Sequence, residues 1–331
     1  IILSKKIKTL LKQKEAYDIL YKNNSKNKKI TNEDSSPIQS SKVINLISKP
    51  SETQSILHDN FENPSIALKP ANQRTVTKLF IEIPNINNII QEEIIESDGG
   101  ILIEFIKTDI HSDTGLLNFV QLFAPKTLIY KISNHQDIKY TSSNIASIDE
   151  DLKVIKSVRS KNIKNLHICI PFLKSPEEFE FFREYFYNYG VKQSHNLKLF
   201  ISIDNIFAVH NVEKFVESGV DGVIFNVEEI LRISLGLTKE KFTEQKDIVM
   251  NEYKISETGI KDMIDNASAV CKKRKIPFIL NLSTFTGENL DDLSSLAVKN
   301  HSFGLQIQSE SIEKLKTVVK YYEAKYILKL K

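Results

Sequence analysis

The stretch His167-Ile168-Cys169-Ile170-Pro171-Phe172-Leu173-Lys174-Ser175-Pro176-Glu177-Glu178 changes character within a few residues. His167–Leu173 is a short, almost unbroken apolar run, which suits a strand covered on both faces, as in a parallel sheet. The chain then switches to a helix start. Ser175 is a capping residue, Pro176 stands where a missing N–H costs nothing, and Glu177 and Glu178 lie at the positive end of the helix dipole. Phe179, Phe182 and Tyr185 follow at helical spacing and supply an apolar face. Strand followed by amphipathic helix is one βα unit.

The same alternation extends in both directions. Apolar runs occur at Lys78–Ile83, Gly100–Ile106, Thr127–Ile132, Lys198–Asp204, Gly222–Asn226, Pro277–Ser283 and Phe303–Gln308, which with His167–Leu173 makes eight strand candidates. Helical patterns separate most of them. Val209–Gly219 closes on a glycine, a common helix stop. Ser256–Lys275 turns Ile260, Met263, Ile264 and Ala267 inward and ends in the basic run Lys272–Lys275, favourable at a helix C-terminus. A last helix is expected from about Ser311 to Leu328. Eight strands alternating with helices over roughly 250 residues is the rhythm of a (β/α)8 TIM barrel. A doubly wound open sheet shares that periodicity and is the alternative.

Bulk properties exclude several classes. The 331 residues are 41% hydrophobic, enough for a large core. No apolar run approaches the ~20 residues of a membrane helix, so no membrane partner is expected. A net charge of +3, from 45 basic and 42 acidic residues, argues against a dedicated nucleic-acid binder. Cys169 and Cys271 have neither metal-ligand spacing nor a disulfide framework, which points to a reducing, cytoplasmic setting. The seven histidines show no metal pattern, and His135 with Asp137 reads as a polar loop pair. Phosphate-binding glycine loops, HExxH and Ser-His-Asp signatures are missing. Residues 1–24 form a short basic segment with weak helical spacing, opening on Ile1 rather than Met. Residues 25–75, rich in Ser, Asn, Lys and Pro, read as a largely disordered linker, which leaves 76–331 for the barrel.

Six segments, in order, resemble the C-terminal barrel of the phosphoenolpyruvate synthase and pyruvate phosphate dikinase family. Thr77–Ile83 is similar to its first strand, Ser97–Phe105 to "DGVGLLRxEF", and Pro125–Asn134 to "PKPVIVRTSD". Cys169–Glu178 resembles "MIPFVRTxEE", Leu197–Ala208 "LKVGMMIEIPSA", and Val220–Ile230 "VDFFSIGTNDL", with Ser234-Leu235-Gly236 after it. The resemblance covers about three quarters of the chain. It implies a phosphoenolpyruvate/pyruvate-binding barrel that acts with a phosphohistidine domain, supplied upstream or by a partner, and that often dimerises. No counterpart of the ATP-grasp or phosphohistidine domain is found in this sequence.

The resemblance also implies chemistry. In the family two carboxylates hold Mg²⁺ against the enolate of pyruvate, arginines cradle the phosphoryl group, and a cysteine moves a proton at the methylene carbon. Asp204 stands for the first metal carboxylate, one methylene shorter, and Glu229 for the second. Helix-cap or loop acids are the alternative reading of both. Lys131 replaces an arginine and could meet phosphate as a point charge, or sit at a strand end in solvent. Asn134 replaces an acid, and Glu104 survives beside another lost arginine. Leu280 aligns with the acid–base cysteine and cannot transfer a proton. Residual pyruvate or phosphoenolpyruvate binding, a non-catalytic scaffold barrel, and different carbonyl chemistry on the same barrel are therefore the competing functions.

Overall fold

The computed structural model describes residues 75–84, 89, 91–103, 113–132, 142–246, 248–249, 253–255 and 259–326. The N-terminal segment and the linker expected over 25–75 lie outside these residues except for residue 75, as do Glu104, Asn134, His135 and Asp137. The chain divides into two compact units, and the one made of Pro64–Gln136 and Ile148–Lys331 carries all eight strands.

Those strands are β1 Lys78–Ile83, β2 Gly99–Ile103, β3 Thr127–Lys131, β4 Leu166–Ile170, β5 Leu199–Ile203, β6 Gly222–Asn226, β7 Phe278–Asn281 and β8 Gly304–Ile307. Each pairs in parallel with the next, and β8 returns to β1. The sheet is therefore a closed barrel, which rules out the open doubly wound alternative. Every expected strand is present, displaced by at most a few residues at its ends.

The helices follow the local chemistry. They are α1 Gln91–Glu96, α2 Asp113–Phe123, α3 Ser142–Arg159, α4 Pro176–Tyr189, α5 Ile206–His210, α6 Val212–Glu217, α7 Val227–Ser234, α8 Lys239–Glu244, α9 Ile260–Arg274, α10 Gly287–Lys299 and α11 Ile312–Tyr326. α4 begins at Pro176 and ends at Gly190, whose φ of 96° places it in the left-handed region that glycine tolerates. Its Phe179, Phe182 and Phe186 are buried, whereas Tyr187 is 55% exposed. The pattern Val209–Gly219, expected as one helix, is two. Asn205 starts α5 early by accepting from the Ala208 N–H at 2.9 Å, and the Asn211 side chain donates to the Phe207 carbonyl at 2.8 Å, interrupting the run.

Two cores result. The larger lies between barrel and helices, around residues such as Ile81, Tyr130, Ile201 and Phe225. The smaller fills the barrel itself, with Phe80, Ile101, Ile129, Cys169, Phe200, Ile224 and Ile279. Its two phenylalanines occupy matching places. Lys78-Leu79-Phe80-Ile81 and Lys198-Leu199-Phe200-Ile201 are the same tetrapeptide, four strands apart. Each precedes an Asp-Gly pair: Asp98 accepts from the Leu79 N–H at 2.9 Å, and Asp221 from the Leu199 N–H at 2.8 Å. In each case the phenylalanine is register partner to the glycine. A Cβ on Gly222 would stand 2.2 Å from the Phe200 ring, and one on Gly99 would stand 2.6 Å from Phe80. Glycine at these points is what lets a phenylalanine fit inside an eight-stranded barrel.

Candidate functional site

In a parallel barrel the strand ends and the loops after them gather at one mouth, and the side chains there are the ones free to do chemistry. Here the mouth carries Glu82 on β1, Lys131 on β3, Ser202 on β5 with Asp204 just beyond, Asn226 on β6, Asn281 on β7 and Gln306 on β8. Asn226, Asn281 and Gln306 are successive register partners, so one side of the mouth is a belt of neutral amides.

Asp204 is the organising group. It is fully buried, so its charge needs partners. Oδ1 accepts from Ser202 Oγ and from Asn226 Nδ2, each at 2.8 Å. Oδ2 accepts from the Phe172 N–H at 3.0 Å. Phe172 has a φ of 57°, in the left-handed region, a conformation that costs a non-glycine residue about 1–3 kcal/mol and persists only when its surroundings hold it. The Asp204 carboxylate is one of those restraints. Lys131 is another neighbour of both groups: its Nζ is 3.8 Å from Asp204 Oδ1 and 5.9 Å from the centre of the Phe172 ring.

Electrostatics fix the state of that lysine. Burial by itself would lower its pKa, but Asp204, then the Cys169 side chain, Glu82 and Glu229, outweigh that effect and leave it raised. Lys131 is therefore an ammonium at neutral pH and neither a general base nor a free amine for imine chemistry. Cys169, inside the barrel, has its thiol pushed up to about 12 by burial, with Lys131 opposing and Asp204 assisting the rise. It is a protonated core thiol. Cys271, outside the barrel, is likewise pushed up to about 12 by burial.

The sequence-predicted site residues are thus only partly brought together. Lys131 and Asp204 meet. Glu229 lies in the first turn of α7, where Arg232 holds it with Nη2 at 2.5 Å from Oε1 and Nε at 2.8 Å from Oε2. This bidentate pair gives each carboxylate oxygen a charged donor. Leu280 packs in the core outside the barrel; the inward residue at the end of β7 is Asn281, whose Oδ1 accepts from the Ser283 N–H at 3.1 Å. Neither has a proton to give at neutral pH.

A divalent metal was expected on Asp204 and Glu229, and the residues present do not fit one. Both carboxylates already have a side-chain cation beside them, and within about 4 Å of the Lys131 ammonium the attraction of a divalent ion to Asp204 would be offset by repulsion of roughly 8 kcal/mol at an effective dielectric of 20. Among the described residues no group of three or more His, Cys, Asp or Glu is gathered to hold a metal.

Sequence reasoning missed two features of the mouth. Glu82 accepts from Gln306 Nε2 at 2.7 Å and also lines a cleft of about 350 Å³, together with Pro84, Ile89, Glu93, Gln308 and Glu310. Three carboxylates on one cleft disfavour a multiply charged anion there. Beyond β7, Ser283 Oγ and Thr284 Oγ1 are buried without a hydrogen-bond partner. Each unmet hydroxyl costs about 1–3 kcal/mol unless water or a ligand completes it. Only their place, at the end of the seventh apolar run, was available to find them.

No family model matches the chain. It is 21% identical over 126 residues to a probable phosphoenolpyruvate synthase of Methanocaldococcus jannaschii, a match that takes in 38% of this chain and 10% of that protein. The chain thus spans about a tenth of the curated relative it matches. Among solved structures, RipC from Yersinia pestis is 14% identical, with a TM-score of 0.43 over 73% of this chain and 96% of that one. The sequence likeness and the closed parallel barrel together support, loosely, a barrel of the phosphoenolpyruvate-utilising kind.

Proposed function

We propose that this chain is a phosphoenolpyruvate synthase-like barrel that no longer carries out phosphoryl transfer and serves as a binding or scaffold module. The observation that carries the reading is the Lys131–Asp204 pair at the barrel mouth. Enolising pyruvate needs concentrated positive charge at the developing oxyanion and a group to move the methyl proton. Lys131 stands 3.8 Å from Asp204, which offsets its charge, Arg232 is paired with Glu229, and Asn281 and Leu280 cannot move a proton. Glu82 adds negative charge at the same mouth, which works against a trianionic substrate.

A second reading has one observation in its favour. The unpartnered hydroxyls of Ser283 and Thr284 could donate to a small carboxylate such as pyruvate, with Lys131 as its counter-charge. Phosphoryl transfer to such a ligand would in addition need a phosphohistidine domain from elsewhere in a longer chain or from a partner.

Deuterium exchange into the methyl group of pyruvate, followed by proton NMR in D₂O with Mg²⁺, separates the two without any phosphohistidine domain. The scaffold reading expects no exchange above the protein-free rate and no calorimetric heat on titrating oxalate, an enolate mimic. Exchange that disappears in Asp204→Asn would refute it.

A further inference from the structure

The end of the barrel opposite the mouth gathers the strand starts and the loops that follow the helices. Two of those loops, from the end of α3 to β4 and from the end of α4 to β5, are neighbours because β4 and β5 pair. Over residues 156–165 and 187–198 they carry six Lys or Arg and His195, with neither an Asp nor a Glu. The net charge of +3 conceals this excess, since acids such as Glu82, Glu93 and Glu310 collect at the mouth. Contacts hold the two loops side by side. Lys156 Nζ donates to the Tyr189 carbonyl at 3.0 Å, Arg159 Nη1 to the Asn196 carbonyl at 2.7 Å, and the Lys198 N–H to His167 Nδ1 at 3.4 Å.

The dipole of α3 accounts for Lys156 and Arg159, which lie in its last turn. It does not account for Lys161, Lys164, Lys192 and Lys198, which lie beyond the ends of α3 and α4. Among the described residues none of these four is ion-paired to a carboxylate. Asp221, on the adjoining loop before β6, accepts from the Leu199 N–H and from Gln193 Nε2. The positive potential reaches the barrel floor: after burial, Lys198 and Arg159 are what hold buried His167 low. Between the lysines stand exposed Ser160, Asn162, Ser194 and Asn196, residue types that hydrogen-bond phosphate and sugar. The large exposed apolar side chain on these loops is Tyr187, with Lys192 Nζ 4.9 Å from its ring centre. One tyrosine is a poor membrane anchor but can stack on a base. No helix or ribbon protrudes from these short loops to enter a duplex groove.

We propose that this face binds single-stranded nucleic acid through its phosphates. The proposal goes beyond the reading of the mouth and does not depend on it, since the two sites lie at opposite ends of the barrel.

Fluorescence anisotropy of the full chain with a dye-labelled oligouridylate tests it. With four lysine–phosphate contacts, wild-type affinity is expected to fall about 50-fold between about 50 and 200 mM salt. Lys161→Gln, Lys164→Gln and Lys192→Gln together are expected to weaken binding at least about 10-fold at the lower salt and to shrink the fall to about 3-fold. Lys174→Gln, Lys239→Gln and Lys241→Gln remove the same charge from exposed lysines outside these loops and are expected to bind as wild type does. Absence of wild-type binding at the lower salt would overturn the proposal, as would equal weakening in both triple variants. So would binding of phosphatidylserine vesicles without binding of the oligonucleotide, which would assign the face to a membrane. Should the first triple variant fail to fold, Lys164→Gln alone carries the comparison, its fall over the same salt range shrinking to about 20-fold.

Discussion

Replacing Asp204 with Asn changes almost no volume and removes one buried charge, so its cost can be worked from the contacts. The carboxylate accepts from Ser202, Asn226 and Phe172. A carboxamide has one oxygen, so whichever way it turns, its NH₂ faces a donor and at least one of the three loses its acceptor, worth about 1–3 kcal/mol. Lys131, only 16% exposed, loses its counter-ion as well. Breaking a buried pair from one side costs about 3–5 kcal/mol. The two costs overlap and the 3.8 Å separation is not a tight contact, so the expected loss is about 3 kcal/mol. For a domain of this size that lowers Tm by roughly 6–12 °C. Urea unfolding followed by circular dichroism measures it. Adding Lys131→Met to Asp204→Asn removes the orphaned ammonium and should recover about 1 kcal/mol of the loss, as expected for directly coupled residues. A loss below about 1 kcal/mol in the single variant would refute the view of Asp204 as the group that holds the mouth together.

Three further outcomes follow from the same structure. His167 is lowered to about 4 by burial, then by Lys198 and Arg159. Its contribution to stability is therefore complete above the unfolded value of ~6.5 and is lost as pH falls toward 4, by at most about 3 kcal/mol; His167→Gln should flatten unfolding curves over that window. Gly222→Ala places a Cβ 2.2 Å from Phe200 and should cost about 1–3 kcal/mol, with Phe200→Leu in the same chain recovering part of it. Cys169 and Cys271 are buried, with thiols pushed up to about 12, so a thiol reagent at pH 8 should modify neither in the native state and both in denaturant.

The barrel was legible because its signals are local and repeated. Apolar runs such as His167–Leu173 suit strands covered on both faces, and Ser175-Pro176 followed by two acids marks a helix start whatever lies around it. Closure itself was not legible. An open sheet uses the same strands, and only the pairing of β8 with β1 decides between them. The split at Asn211 was missed because the deciding group, a side-chain amide competing for the Phe207 carbonyl, leaves no mark in hydrophobic spacing. The recurrence of Lys-Leu-Phe-Ile in β1 and β5 could have been seen in the sequence, but its meaning, a ring set against a glycine of the next strand, requires the register.

The candidate site divides along the same line. Residue types alone put Leu280 where the resemblance expects the acid–base cysteine and Lys131 where it expects arginine, because an alignment of motifs compares identities. Which acid meets which cation depends on side chains brought together across the mouth from β3, the end of β5 and α7. Lys131 to Asp204 spans 73 positions, whereas Glu229 to Arg232 is one helical turn. The second pair could have been inferred from spacing. The first could not, because Coulomb energy depends on distance in space and on burial, and both come into being only when the barrel closes.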